Sequence, residues 1–259
     1  MHKTSYGAAL IAMALAPAFA SAAGWGDIKG RFVLDGDPGD PTAITVNKDP
    51  EFCGEFGLKE ETIEVGEGNG LANVFVYLYL RRGKSVDIHP DLADPGETAV
   101  LDNKNCRFEP HAMIVRTGQK FEVRNSDAGI GHNTNAAALV ANTKFNTMVT
   151  NDKPEVFEFE KSEPVPQQVA CNIHPWMKGY VLIRDNPYMA VTDKDGNFEI
   201  KGVPEGDHQF VIWHEGPGNL KNLKTDAGKT DRRGRLKVSV EADGSVDLGE
   251  VKVSASALK

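Results

Sequence analysis

Residues 171–180 read Cys171-Asn172-Ile173-His174-Pro175-Trp176-Met177-Lys178-Gly179-Tyr180. A thiol, an imidazole and a thioether follow one another at C-x2-H-x2-M spacing. Short strand-like runs flank the stretch, at 168–170 before it and 180–183 after it. The stretch therefore reads as a loop joining two strands at one end of a β-sandwich, where a tight turn aims all three side chains at one point. Taken singly, a Cys is often a small buried hydrophobe, a Met is usually core packing and a His is often structural. Their coincidence in one ligand-like pattern favours a metal site.

Thiolate and thioether are soft donors, and imidazole suits copper well. Two His and one Cys in a trigonal plane with a weak axial Met make a blue-copper arrangement. The loop supplies three of those four groups, so a His from elsewhere is needed. His132 is the best candidate. It lies in FEVRNSDAGIGHNTN, just after a strand expected at 121–124, and 39 residues before Cys171, enough for a strand out and a strand back. His111, at a strand start in CRFEPHAM, is its rival for that position. His89, His208 and His214 have no partners in sequence and read as surface or core residues.

Outward from the loop, the periodicity stays strand-like. Runs at 28–34, 71–80, 113–115, 155–159, 197–200, 208–213 and 236–240 are short and rich in β-branched and aromatic residues, with clusters such as DGDPGDP and DKDG between them. Many short strands with turn punctuation indicate an all-β protein of sandwich type. No amphipathic helix of ordinary length is evident. A turn or two of helix is allowed at 136–142 and 55–61.

Residues from about 108 to 184 resemble a cupredoxin domain, a Greek-key β-sandwich, and the short C-x2-H-P-x-M loop resembles that of the amicyanin subgroup most. The resemblance implies one type 1 copper with His132, Cys171 and His174 as equatorial ligands and Met177 as the axial one. It implies that Asn133 hydrogen-bonds across to the Cys loop and fixes ligand orientation. Electrons in that family pass through the exposed edge of the C-terminal His, here His174, with Pro175 and Trp176 forming an apolar rim for transient docking of a redox partner protein. No position is left for substrate, so an electron carrier is expected and not an enzyme. Copper carriage or storage with the same ligands, and a structural β-domain protein without a redox role, are the alternatives. The residues from Trp25 to Asn105 lie outside the resemblance.

The N-terminus, residues 1–22, has Lys3, an apolar run and an Ala20-Ser21-Ala22 triplet, the pattern of a cleaved secretory signal peptide. The apolar run is shorter than the roughly 20 residues that span a bilayer, and no other stretch is apolar enough to cross one. The expected location is periplasmic or secreted, with no transmembrane segment in the mature chain. Loss of Lys3 takes the formal charge from −8 to −9, a balance unsuited to nucleic acid. Three cysteines in an oxidising compartment leave one over. Cys171 has the ligand context, so Cys53 and Cys106 are the expected disulfide, closing a loop of about 50 residues with a contribution of roughly 4 kcal/mol. Two unpaired thiols, or a second metal site with His111, are the other readings.

Residues 188–215, YMAVTDKDGNFEIKGVPEGDHQFVIWHE, hold a hairpin signal at Asp195-Gly196 and a second turn at Pro204-Glu205-Gly206. The segment resembles a carboxypeptidase regulatory-like, transthyretin-like β-sandwich module. The expected organisation is a signal peptide (1–22), an N-terminal β extension (23–105), the cupredoxin core (106–186) and that second small sandwich (187–259). GDIKGRFVLDGDP, at 26–38, also looks like the first strand of such a module. The N-terminal strands pairing with the C-terminal module, the copper domain inserted between them, is therefore a further possible topology. Residues 216–235 read as a polar segment, a mobile surface loop or a long hairpin, whose Arg232, Arg233 and Arg235 form a solvated face or meet an acidic partner.

Overall fold

The computed structural model describes residues 24–258 together with Met1. The expected signal peptide thus lies, Met1 apart, outside the described residues. Among the described residues no helix is long and apolar enough to cross a membrane. The strands, in chain order, are β1 (Trp25–Asp35), β2 (Phe75–Leu78), β3 (Ala99–Lys104), β4 (Arg107–Glu109), β5 (Ala112–Arg116), β6 (Lys120–Asn125), β7 (His132–Asn135), β8 (Asn146–Val149), β9 (Glu155–Glu158), β10 (Gln167–Ala170), β11 (Lys178–Arg184), β12 (Met189–Val191), β13 (Asn197–Pro204) and β14 (Gly206–His214). Three two-residue strands follow, β15 (Gly218–Asn219), β16 (Lys224–Thr225) and β17 (Gly228–Lys229), then β18 (Arg235–Val240) and β19 (Ser245–Ser254). The only α-helix among the described residues is the single turn α1 (Pro50–Cys53). The chain is an all-β sandwich protein.

Four sheets carry the fold, in the orders β13-β1-β19, β12-β2-β14-β15 with β18 also on β14, β5-β11-β10-β7-β8, and β4-β3-β6-β9. Side chains on a strand alternate between faces, and the apolar ones sort into three seams between these layers. The runs Phe75-Val76-Tyr77-Leu78, Tyr180-Val181-Leu182-Ile183 and Phe210-Val211-Ile212-Trp213 are unbroken because their strands are covered on both faces. Val76, Leu78, Phe210 and Ile212 enter one core with Phe32 and Leu34 of β1. Phe75, Tyr77, Val211 and Trp213 face the other way and meet Leu182 and Ala112 in a central seam. Val181 and Ile183 fill a third core with Leu101, Phe121 and Val123. We call the sandwich around this third core the middle sandwich.

Strand pairing cuts across the expected segments. Residues 23–105 do not stand apart as an extension. β1 lies between β13, antiparallel, and β19, parallel, and β2 lies between β12 and β14. β3 belongs instead to the middle sandwich, paired with β4 and β6. The physical reason is that 187–259 lacks the central strand of its outer sheet: β13 and β19 meet only through β1. Asp195-Gly196 forms a turn but not the expected hairpin, since β12 and β13 on either side of it join different sheets; Gly196, at φ +83, passes so close to Phe32 and Gly70 that a Cβ there would collide with backbone. Residues 216–235 also differ from a mobile loop, since Leu220 and Thr230 are buried and Arg235 stacks on the Tyr79 ring at 3.4 Å.

β11 pairs in parallel with β5 and antiparallel with β10, and Ala170 of β10 pairs with Asn135 of β7. This register sets Cys171, the first residue after β10, beside the start of β7 at one end of the middle sandwich.

Candidate metal centre

His132 opens β7, and Cys171, His174 and Met177 occupy the β10–β11 loop. The loop closes on itself: the Cys171 N–H donates to the Met177 carbonyl (3.1 Å) and the Met177 N–H to the His174 carbonyl (2.9 Å). All four side chains are buried, His132 and His174 completely. Nδ1 of His132 lies 4.0 Å, and Nδ1 of His174 3.8 Å, from the Cys171 sulfur. One donor atom from each of the three lies within 4.8 Å of the others. A first-row metal held at about 2.0 Å from nitrogen and about 2.3 Å from sulfur, with ligands ~120° apart, separates the two donors by about 3.7 Å. The spacing therefore fits one metal ion shared by the three residues.

Both imidazoles are turned for that task. Nε2 of His132 is 2.9 Å from Oδ2 of Asp127, and Nε2 of His174 is 2.9 Å from Oδ2 of Asp49. Each Nε2 is anchored on a carboxylate, which turns Nδ1 toward the sulfur. Burial disfavours the His132 cation, but Asp127 and Cys171 outweigh it and raise the His132 pKa above its ordinary value. Burial pushes the Cys171 thiol up, yet hydrogen bonds from His132 and His174 and from the backbone N–H groups of Asn133 and His174 bring it down to about 5. At neutral pH the sulfur is thus a thiolate, the form that ligates metal.

Asn133 sits where the resemblance implies, its Oδ1 accepting the Asn172 N–H at 2.8 Å and its amide donating to Asn146 at 2.6 Å. Cys53 and Cys106 form the expected disulfide. Asn105 and Cys106 make the two-residue turn between β3 and β4, both at positive φ, and their N–H groups donate to Asp127 at 2.6 and 2.8 Å. Cys106, Asp127 and His132 also cluster tightly, but the Cys106 sulfur is spent in the disulfide, so this is a hydrogen-bonded support and not a second metal site.

One rival reading falls away and one expectation needs correction. His111 is not brought to Cys171. Its Nε2 meets Glu215 at 2.6 Å and its Nδ1 faces Glu61 at 3.7 Å, so the ring is turned to other partners. The edge of His174 is not exposed either. A loop whose neck is the Ala43–Lys59 bridge lays Asp49 over it. Pro175 is exposed, but Trp176 is only half-exposed. It packs against the buried cluster of Cys53, Leu58 and Cys106, as Ile44, Val46 and Phe52 of that loop also do, and donates its Nε1–H to the Cys106 carbonyl at 3.1 Å. The rim is thus partly occupied by the chain's own N-terminal segment. Of the remaining histidines, His89 accepts the Asp91 N–H, and His208 bonds the Pro204 carbonyl. His214 is buried and held neutral, burial taking its pKa down to about 4.

Asp49 and Asp127 are the site residues that sequence reading misses. Asp127 stands five residues before His132, in the NSD stretch, a local signal that could have found it. Asp49 stands 125 residues from His174, and nothing in its own neighbourhood points to a metal.

No family model and no curated protein matches the chain. Solved structures that resemble part of it include copper proteins. A reduced Cu(I) form of an amicyanin mutant is 19% identical at TM-score 0.29, covering 42% of this chain and 97% of that one. A purple cupredoxin from Nitrosopumilus maritimus is 19% identical at TM-score 0.28, covering 34% and 99%. A copper-containing nitrite reductase from Thermus scotoductus SA-01 is 17% identical at TM-score 0.31, covering 41% of this chain but only 25% of its own length. The chain therefore spans about a quarter of that reductase.

Proposed function

We propose that His132, Cys171 and His174, together with Met177, would hold a single type 1 copper, and that the protein carries single electrons between redox partners outside the cytoplasm. The observation that carries this reading is the convergence of a low-pKa thiolate and two Nδ1 atoms in one buried spot. A soft thiolate with imidazoles and a thioether favours copper over the hard cations. Bound copper supplies the one-electron change between Cu(I) and Cu(II). The residues of this chain do the rest: Asp127 and Asp49 fix the imidazoles, Asn133 ties the ligand loop to β7, and the buried pocket keeps water away. With the protein groups filling the ligand positions and none left for substrate, the protein is read as a carrier and not an enzyme. We read the sandwich built from the chain ends as a transthyretin-like support for this centre.

Copper titration with mass spectrometry tests the reading. One copper per chain is expected, lost in Cys171→Ser; no binding, or equal binding by the variant, contradicts it. Copper carriage or storage is the second reading, favoured by the complete burial of His174. Reversible electron exchange in a redox titration separates the two, since a store need not exchange.

A further inference from the structure

The geometry points to the loop from Thr42 to Glu60 as a cap on the centre, with Asp49 as the positioning residue that fixes His174 and closes the face through which its edge would reach solvent. This rests on the copper reading above.

Four independent observations support it. First, the His174 side chain has 0% exposure while that of Asp49, whose Oδ2 is 2.9 Å from Nε2, has 33%. Asp49 is the layer between the imidazole edge and water. Second, the loop is built to stay. Its neck is closed by backbone hydrogen bonds from Ile44 to Leu58 (2.9 Å) and from Glu60 to Thr42 (2.9 Å). Its far side is stapled by Cys53–Cys106, and its apolar residues Ile44, Val46 and Phe52 pack, as Trp176 does, against the buried cluster of Cys53, Leu58 and Cys106.

Third, Asp49 is held in the left-handed region, at φ 47 and ψ 49, just before Pro50 of α1. That conformation is uncommon outside Gly, Asn and Asp. It is kept here where it aims the carboxylate at His174. Fourth, the two acceptors are joined through one disulfide. Asp49 is four residues before Cys53, whose N–H donates to the Asp49 carbonyl at 2.9 Å, and Cys106 donates its N–H to Asp127, which also accepts the hydrogen bond of His132 Nε2–H. The staple thus fixes the groups that orient both ligand histidines. An electron leaving by way of His174 has to cross the Asp49 hydrogen bond, and a redox partner meets the cap before it meets the ligand.

The test compares wild type with Asp49→Gly, which suits the left-handed backbone and removes the carboxylate, and with Asp49→Asn, which suits the backbone and keeps an acceptor oxygen. In the full copper-loaded chain, oxidation of Cu(I) to Cu(II) by hexaammineruthenium(III), which is reduced to ruthenium(II), is followed by stopped flow. In the metal-free chain, labelling of His174 by diethyl pyrocarbonate is located by mass spectrometry. Asp49→Gly should speed the electron exchange at least tenfold, shift the reduction potential, and expose His174 to label. Asp49→Asn should stay close to wild type. Unchanged exchange and potential in Asp49→Gly, with the copper chromophore intact, would overturn the cap. If wild type forms no copper–thiolate chromophore, the copper reading fails instead. The labelling then decides: His174 protected in wild type and labelled in Asp49→Gly supports the cap, and equal labelling in both overturns it.

Discussion

At the scale of single residues, the centre is a set of orientations as much as a set of ligands. His132 and His174 each give Nε2–H to an aspartate and turn Nδ1 to the sulfur. Asp127 does this while also accepting two backbone N–H groups from the Asn105–Cys106 turn. Those donors keep its carboxyl below the usual range although burial acts to raise it. Removing the carboxylate frees the ring and leaves those N–H groups unpaired. Asp127→Ala is expected to lower copper affinity by about 10–100-fold, measured by competition against a chelator of known affinity; unchanged affinity would make Asp127 a purely structural support. The compact C-x2-H-x2-M pattern made three of the candidate ligands legible as a group, because one short loop carries them. The aspartates were not legible as acceptors, because hydrogen-bond partners are chosen by the tertiary fold.

At the scale of elements, the disulfide links the cap to the β3–β4 turn. It spans 53 residues, and by chain entropy such a link contributes roughly 4 kcal/mol. Cys53→Ala with Cys106→Ala should lower the urea midpoint by a corresponding amount, and wild-type protein under non-reducing conditions should have a mass two protons below the reduced form. A double variant as stable as wild type would show that packing of Leu58, Phe52 and Trp176 alone holds the cap. The pairing of the cysteines was readable from compartment and count. The role of the loop they close was not, because 42–60 forms little regular structure and its contacts are long-range. Strand existence was likewise legible from runs such as FVIW and YVLI, whereas the partners of β1 and β2 were not. An alternating or apolar run shows that a face is buried but leaves open against which strand.

At the scale of the whole molecule, the two sandwiches are joined by the central seam and by the His111 cluster beside it. His111, between β4 and β5, meets Glu215 after β14 and Glu61 from the N-terminal segment, and Arg107 pairs with Glu61 at 2.6 Å. Tyr180 and neutral His214 lie against the same group. Burial disfavours the His111 cation, but the Glu215 and Glu61 carboxylates outweigh it and raise the pKa to about 9. A histidine whose folded pKa is raised binds its proton more tightly folded than unfolded. Its contribution is complete below the unfolded value near 6.5 and is lost as pH rises through about 9. Urea unfolding should therefore show wild type losing stability relative to His111→Gln across that window, by at most about 3 kcal/mol. A difference independent of pH would mean that the ring is neutral in the folded protein. The rivalry between His111 and His132 for Cys171 is resolved at this scale too, since it depends on which sheet each histidine joins.

The copper centre itself is tested most directly by the visible absorption spectrum of the copper(II)-loaded protein beside that of Cys171→Ser. The account predicts an intense thiolate-to-copper band in wild type that disappears in the variant while the fold is kept. A wild type that stays colourless with copper, or a band that survives loss of the Cys171 sulfur, would contradict it.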